Sequence, residues 1–213
     1  GRVSVSAVRR VTVADLLGRP DATPAPLPDT ACLTGSVVLV TGGGGSVGAE
    51  LCRLIAGAKP RRLIVFDFYE NNAYELQQEL LARFDGSLDL IVRIGTVCDS
   101  ERLEEIICRY QPDIIFHTAA CKQAPLMQAN PGEAVRTNLF GTIQTALTAG
   151  RHRVGRFILI STVRAAEPVG VMDATMRLAE IAVRRLADRF PATILAVVRL
   201  GSVLDSHGSV VPL

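Results

Sequence analysis

Gly42, Gly45 and Gly48 recur at every third position within Thr41-Gly42-Gly43-Gly44-Gly45-Ser46-Val47-Gly48. A glycine run of this spacing, placed after a strand and at a helix start, cradles a pyrophosphate. Side chains at the turn would block its approach, and the helix start offers amide donors at the positive end of the dipole. Ser46 and Val47 belong to the same turn. Asp67 follows Gly48 by 19 residues and ends a second apolar run. A carboxylate there accepts hydrogen bonds from an adenosine ribose and repels a 2′-phosphate. No arginine follows it closely, so the pattern points to NAD rather than NADP.

His117, Cys121 and Lys122 form a second reactive group. His117 ends an apolar run and reads as a core or hinge histidine rather than a base. An ammonium beside Cys121 would lower the thiol pKa, but an inert thiol is the simpler reading. The five cysteines contain no C-x-x-C pair, which argues against a zinc site or a disulfide scaffold and for reduced thiols; no metal is expected. Of 23 basic residues only Lys59 and Lys122 are lysines, and the net charge is +2. No basic aromatic surface suggests nucleic acid. Arg184, Arg185 and Arg189 read as the solvated face of a helix.

The elements that must hold these groups alternate. Val37–Thr41, Arg62–Phe66, Leu88–Ile94, Ile114–His117, Phe157–Ser161 and Thr193–Leu200 are short apolar runs of strand type. Between them, Ser46–Ala56, Glu70–Phe84, Glu101–Tyr110, Pro131–Leu147 and Met172–Arg189 have helical periodicity. Pro131 suits a first helical turn. The stripe Met172, Met176, Ala179, Val183, Leu186 and Phe190 reads as a core face. Repeated βα units predict an α/β, Rossmann-type doubly wound parallel sheet in three α/β/α layers, strand order 3-2-1-4-5-6. Residues 1–35 read as a linker or strap. Pro20, Pro24, Pro26 and Pro28 hold it extended, and Thr12–Leu17 has room for one helical turn. Residues 36–213 then form the NAD(P)-binding domain. No run is long enough to span a bilayer, and Gly1–Ser4 lacks a signal peptide's apolar stretch.

The stretch Val38–Arg53 resembles the start of the nucleotide-sugar 4,6-dehydratases of the bacterial polysaccharide biosynthesis protein family (CapD-like), which are extended short-chain dehydrogenase/reductases. Further motifs match in order: Pro112–Ala120, Lys122, Pro125-Leu126-Met127, Asn130-Pro131, Thr137-Asn138 with Gly141-Thr142, and Ile160-Ser161-Thr162. Val171-Met172, Ala174-Thr175, Arg177–Glu180 and Gly208–Pro212 complete the series. The resemblance covers residues 36 to 213. It implies oxidation of a UDP-N-acetylhexosamine at C4 by bound NAD(P), loss of water across C5 and C6, and return of the hydride to C6. It also implies a cytoplasmic protein, a homo-oligomer through the helices at 101–110 and 131–147, and membrane tethering of longer forms upstream of the Val11–Arg19 connector. Cofactor contacts carried over are Gly42, Gly45, Ser46, Val47, Gly48, Asp67, Thr96, Val97, Ala119, Ala120, Lys122, Asn138 and Ser161.

The chain departs from the family at its reaction centre. The family's Ser-Thr-Asp-Lys is Ser161-Thr162-Val163-Arg164. Valine transfers no proton, and arginine stays protonated. The helical Tyr-x-x-x-Lys pair is Met172 and Met176. Some longer dehydratases of this group carry Met at the Tyr position, so Met176 at the Lys position is the departure, with no tyrosine beyond Tyr110 and no lysine beyond Lys122. Thr162 and Arg164 are what the resemblance leaves of the catalytic set. Thr96 replaces an Asp that meets adenine, Gln123 a His, Asp173 a Gly and Ser202 an Asn. The region that closes over the sugar in the family would lie beyond Leu213. The expectation is therefore a dinucleotide-binding domain with little or no turnover as this chain, or a pseudoenzyme serving as a binding or structural domain.

Overall fold

The computed structural model describes residues 30–201 and residue 203. The Thr12–Leu17 turn, most of the 1–35 connector, Ser202 and the Gly208–Pro212 motif lie outside these residues.

Strand β1, Val37–Thr41, is buried along its whole length. Alternate side chains serve opposite faces: Val37 and Leu39 pack with Ile106 and Phe157, Val38 and Val40 with Cys52 and Leu63. A strand covered on both sides needs apolar residues at every position, which is why the run reads as continuous. Around it lie β2 (Arg62–Asp67), β3 (Leu90–Ile94), β4 (Ile114–His117), β5 (Arg156–Thr162) and β6 (Ile194–Leu200). All pairings are parallel, in the order β3-β2-β1-β4-β5-β6. Thr41 stands level with Phe66 on one side and His117 on the other. The chain leaves β1 toward β2 and returns on the far side as β4, so the connections diverge above these three residues and open a crevice there.

Helices α1 (Ser46–Gly57) and α2 (Glu70–Phe84) cover one face. Helices α3 (Ser100–Tyr110), α6 (Thr142–Arg151) and α7 (Val171–Arg189) cover the other. On α7, Met172, Met176, Ala179 and Val183 are buried at helical spacing, and full burial of a Met or Val side chain stabilises by roughly 1.5–3 kcal/mol.

The structure corrects several boundaries. Strand pairing of β3 starts with Leu63 opposite Leu90; Leu88 buries its side chain but precedes the ladder. The helix expected over Pro131–Leu147 is three pieces without a break in helical dihedrals: α5 (Pro131–Ala134), a π-helical stretch (Val135–Gly141), and α6. The Thr142 and Thr145 hydroxyls donate to the Asn138 and Gly141 carbonyls at 2.7 Å each, serving acceptors in the turn where the helical register changes. A short helix, α4 (Ala124–Ala129), was not legible as one; Pro125 sits in its first turn, where a missing N–H costs nothing. Residues 31–35 fasten beside α1: Gly35 N–H donates to Lys59 O at 3.0 Å and Thr34 Oγ1 to Ala58 O at 3.0 Å. Among the described residues no helix is long and apolar enough to cross a membrane.

Candidate functional site

The glycine loop joins β1 to α1 in a conformation that excludes side chains. Gly42 has φ +69°, and a Cβ there would lie 2.6 Å from Ala119 N. A Cβ on Gly48 would lie 2.1 Å from the Gly42 carbonyl oxygen. Glycine at 48 lets the first turn of α1 lie directly on the loop, so its amides face the crevice. The N-cap of α1, Gly45, has no side chain, and the helix's first turn holds no acidic residue. A helix start left this way favours an anion.

Asp67 ends β2 and is buried at 7% exposure. Its Oδ2 accepts from Gly44 N–H at 2.8 Å and its Oδ1 from Tyr69 N–H at 2.9 Å. These bonds set the carboxylate at the edge of the glycine loop, and each oxygen retains a further acceptor position.

Two adjoining cavities form one groove across the strand ends, sharing Gly42, Gly45, Thr118 and Ala120. The half of about 430 Å³ beside β2 is lined by Asp67, Phe68, Tyr69, Asn72, Thr96, Val97, Ala119 and Glu133, among others. Among the described residues it contains two carboxylates and no basic residue. The other half, about 390 Å³, is lined by Ser46, Val47 and Gly48, then Lys122, Gln123, Ser161, Thr162 and Leu200. Lys122 is its only charged lining residue among those described.

His117 braces the crevice from below. It is fully buried, with Nδ1 2.7 Å from Thr41 Oγ1 and Nε2 3.0 Å from Thr142 Oγ1. The Thr142 hydroxyl hydrogen goes to Asn138 O at 2.7 Å. Nε2 therefore carries the ring proton and donates to Thr142, while Nδ1 accepts from Thr41. Burial, with the Lys122 charge adding to it, pushes the His117 pKa down to about 3. The ring is a neutral strut rather than a base.

Asn138, expected at the cofactor, is instead fully buried behind the groove wall. Its Oδ1 accepts from Cys121 N–H at 2.7 Å; its Nδ2 donates to Cys121 O at 3.1 Å and to Thr175 Oγ1 at 3.0 Å. It braces the loop after β4 against α7. Burial pushes the Cys121 thiol pKa up, and Lys122 offsets this only in small part, so the ammonium does not activate it. Lys122 keeps over a third of its surface open to the groove. Protein atoms crowd its ammonium on the other sides, and that desolvation lowers its pKa to about 8.

The positions beyond β5 are divided. Thr162 lines the groove and its Oγ1 accepts from Arg164 N–H at 3.3 Å. Val163 is exposed at 49%. Arg164, expected among the reacting groups, points elsewhere: its Nη2 is 3.0 Å from Oδ2 of Asp173, a residue only 1% exposed. A buried carboxylate needs a partner, and among the described residues Arg164 supplies it. The substitutions at 164 and 173 thus form a single ion pair. Met172 and Met176 lie in the core.

Sequence reasoning missed the support beneath Ser161. Its hydroxyl donates to Glu180 Oε1 at 2.7 Å, and Glu180, fully buried, also takes Arg199 through both oxygens at 2.8 and 2.6 Å and Arg177 at 3.2 Å. Burial alone would raise the Glu180 pKa; the bonds from Arg199, Ser161 and Arg177 outweigh it and hold the pKa below the ordinary value. The sequence signals were the matched stretch Arg177–Glu180 and an acid interrupting the apolar spacing on the buried side of α7.

A family model described as polysaccharide biosynthesis protein matches residues 38–213. The capsular polysaccharide biosynthesis protein CapD of Staphylococcus aureus is 37% identical over 213 residues, which is all of this chain and 36% of that protein. A UDP-N-acetylglucosamine 4,6-dehydratase (inverting) of Campylobacter jejuni is 31% identical over 182 residues, 84% of this chain and 52% of that one. Among solved structures, Pen from Bacillus thuringiensis superposes with a TM-score of 0.79 at 30% identity, covering 84% of this chain and 56% of that one. The chain thus spans between about a third and about half the length of these relatives.

Proposed function

The chain belongs to the polysaccharide biosynthesis protein family, and from that premise we propose that its groove holds a nicotinamide dinucleotide, NAD in preference to NADP, in a nucleotide-sugar 4,6-dehydratase-like protein. The observation that carries this reading is the division of the groove. A glycine-rich anion cradle lies at its middle, and among the described residues two carboxylates and no cation line the half beside β2.

The fit is specific at each part. The pyrophosphate belongs over Gly45–Gly48, where first-turn amides and the helix dipole favour it. Asp67 accepts from the adenosine ribose, and Thr96 and Val97 flank the adenine. A 2′-phosphate there would meet Asp67 and Glu133, with no arginine among the described lining residues to offset them. Two like charges about 6 Å apart repel by roughly 3 kcal/mol at an effective dielectric of about 20. Calorimetry of the chain with each dinucleotide should show NAD bound about 10- to 100-fold tighter than NADP, with Asp67→Ala narrowing the ratio. Equal or tighter NADP binding by the unmodified chain would sink the cofactor assignment.

The bound dinucleotide supplies the oxidant at C4 of the sugar and the hydride returned to C6. Elimination between those events needs one group to take the C5 proton and another to protonate the leaving hydroxyl. Val163 has no proton to give, Arg164 is tied to Asp173, and Met172 and Met176 are core residues. Of the reaction-centre positions 162, 163, 164, 172 and 176, Thr162 alone lines the groove with a transferable proton among the described residues. Loss of an acid or base typically costs about 10²–10⁴ in rate. The second reading, a binding domain without turnover, draws on this same arrangement. UDP-N-acetylglucosamine incubated with the chain and NAD should yield no 4-keto sugar. Its appearance would overturn the inactive reading and leave the cofactor assignment standing.

A further inference from the structure

A cavity of about 650 Å³ lies at the opposite end of the sheet from the glycine loop, where β1 begins rather than ends. Val37 and Thr41, the two ends of β1, stand about 13 Å apart at the rise of a strand. The start of β2, the end of α3, the turn before β4 and the turn after α6 wall the cavity. Arg61, Arg62 and Arg153 line it, together with Asp113 and Tyr110.

Asp113 neutralises Arg61 only in part. Its Oδ2 lies 3.5 Å from Arg61 Nη2 and already accepts the Val37 N–H at 2.7 Å. Arg62 is held by Asp89 at 2.6 Å. Tyr110 gathers further guanidiniums behind them. Arg62, Arg93 and Arg109 stand 5.9, 5.4 and 5.6 Å from its ring centroid, and Arg93 also donates to the phenol oxygen. Arg93, Arg109 and Arg153 form no ion pair among the described residues. Arg153 follows α6 at φ +54°, a place where glycine is usual. The group thus sets five guanidiniums against two carboxylates, Asp89 and Asp113. Basic residues at helix ends ordinarily answer the helix dipole, and the C-terminal ends of α3 and α6 close on this cavity. Each carries about half a negative charge, so together they offset about one of the surplus cations and leave about two.

We propose that this cavity binds a phosphate-bearing ligand through Arg61 and Arg153, independently of the dinucleotide groove. A guanidinium meets phosphate oxygens as a planar fork of donors. Tyr110 is only 8% exposed, with arginines over its ring. It therefore offers no open face on which a base could stack, and recognition falls on the phosphate group itself. A soluble diphosphate and the headgroup of an anionic lipid present that same chemistry.

Inorganic pyrophosphate is titrated calorimetrically at pH 7 and low ionic strength into the unmodified chain and three variants. Arg61→Ala with Arg153→Ala should bind it at least about 10-fold more weakly, the worth of one charge-assisted hydrogen bond. Arg184→Ala with Arg185→Ala removes the same charge from the exposed side of α7 and should bind as the unmodified chain does. Gly48→Ala reports on the glycine loop as the other seat for pyrophosphate. Unchanged urea midpoints show that the arginine variants fold, as expected for an exposed ion pair at Arg61. Cosedimentation with vesicles of phosphatidylglycerol and phosphatidylcholine, against phosphatidylcholine alone, distinguishes the two sources. Vesicle binding that needs Arg61 and Arg153 assigns the lipid headgroup. Pyrophosphate binding that needs them, without vesicle binding, assigns a soluble diphosphate. Loss of pyrophosphate in Gly48→Ala alone, equal losses in the two arginine variants, or binding of neither probe overturns the proposal.

Discussion

Lowering the pH from 7.5 to about 3 tests the His117 strut. The folded ring takes up its second proton only below about pH 3, against 6.5 in an unfolded chain. The unfolded state therefore binds one more proton between these values. The stability from His117 is fully present above pH 6.5 and is lost as the pH falls toward 3. The window spans about 3.5 pH units, and each unit corresponds to 1.36 kcal/mol, so the loss approaches roughly 5 kcal/mol. Domains are stable by only about 5–15 kcal/mol, so this one ring is able to set the acid limit of the fold. Urea unfolding is measured at half-unit pH steps for the unmodified chain and for His117→Asn. The variant loses at least one bond to Thr41 or Thr142 and starts less stable by about 1–3 kcal/mol. Carboxylates titrate in both proteins and cancel in the difference. The unmodified chain should fall toward the variant at up to about 1.4 kcal/mol per pH unit below pH 6.5. Parallel profiles would show that the ring titrates normally in the fold and that the neutral-strut argument is wrong. Nitrogen NMR adds an independent check: the proton belongs on Nε2, with Nδ1 bare.

Gly48→Ala should reduce NAD binding by at least about 10-fold, since its Cβ would sit 2.1 Å from a backbone oxygen that cannot move aside. Gly57→Ala in the same helix meets nothing within 4 Å and should leave binding unchanged; equal calorimetric titrations for both variants would refute the close-packing argument. Glu180→Ala strands Arg199, Arg177 and Ser161 and should destabilise by about 3–5 kcal/mol. Glu180→Gln, which keeps a partner for Ser161, should cost about 1–3 kcal/mol, and urea midpoints showing no difference between the two variants would remove the charge from the account.

The strands, their order, the glycine turn after β1 and the place of Asp67 at the end of β2 were legible in the sequence because each is specified locally or by a general rule. Val37–Thr41 needs no partner to show that both of its faces are buried, and the handedness of βα crossovers converts alternation into strand order. The glycines announce a turn that admits no side chain, whatever surrounds it. The site's supports were a different matter. Arg164 and Asp173 each looked like a separate loss until the fold set them 3.0 Å apart. Asn138 looked like a cofactor contact and proved to be a clamp between residues 17 and 37 positions away. Lys122 and Met176, 54 positions apart, acquire a relation only when the loop after β4 packs on α7. Buried polar groups must find partners wherever the packed chain brings them. Which side chains satisfy one another is therefore decided by the tertiary structure, while the types of those side chains and the periodicity that folds them are written residue by residue.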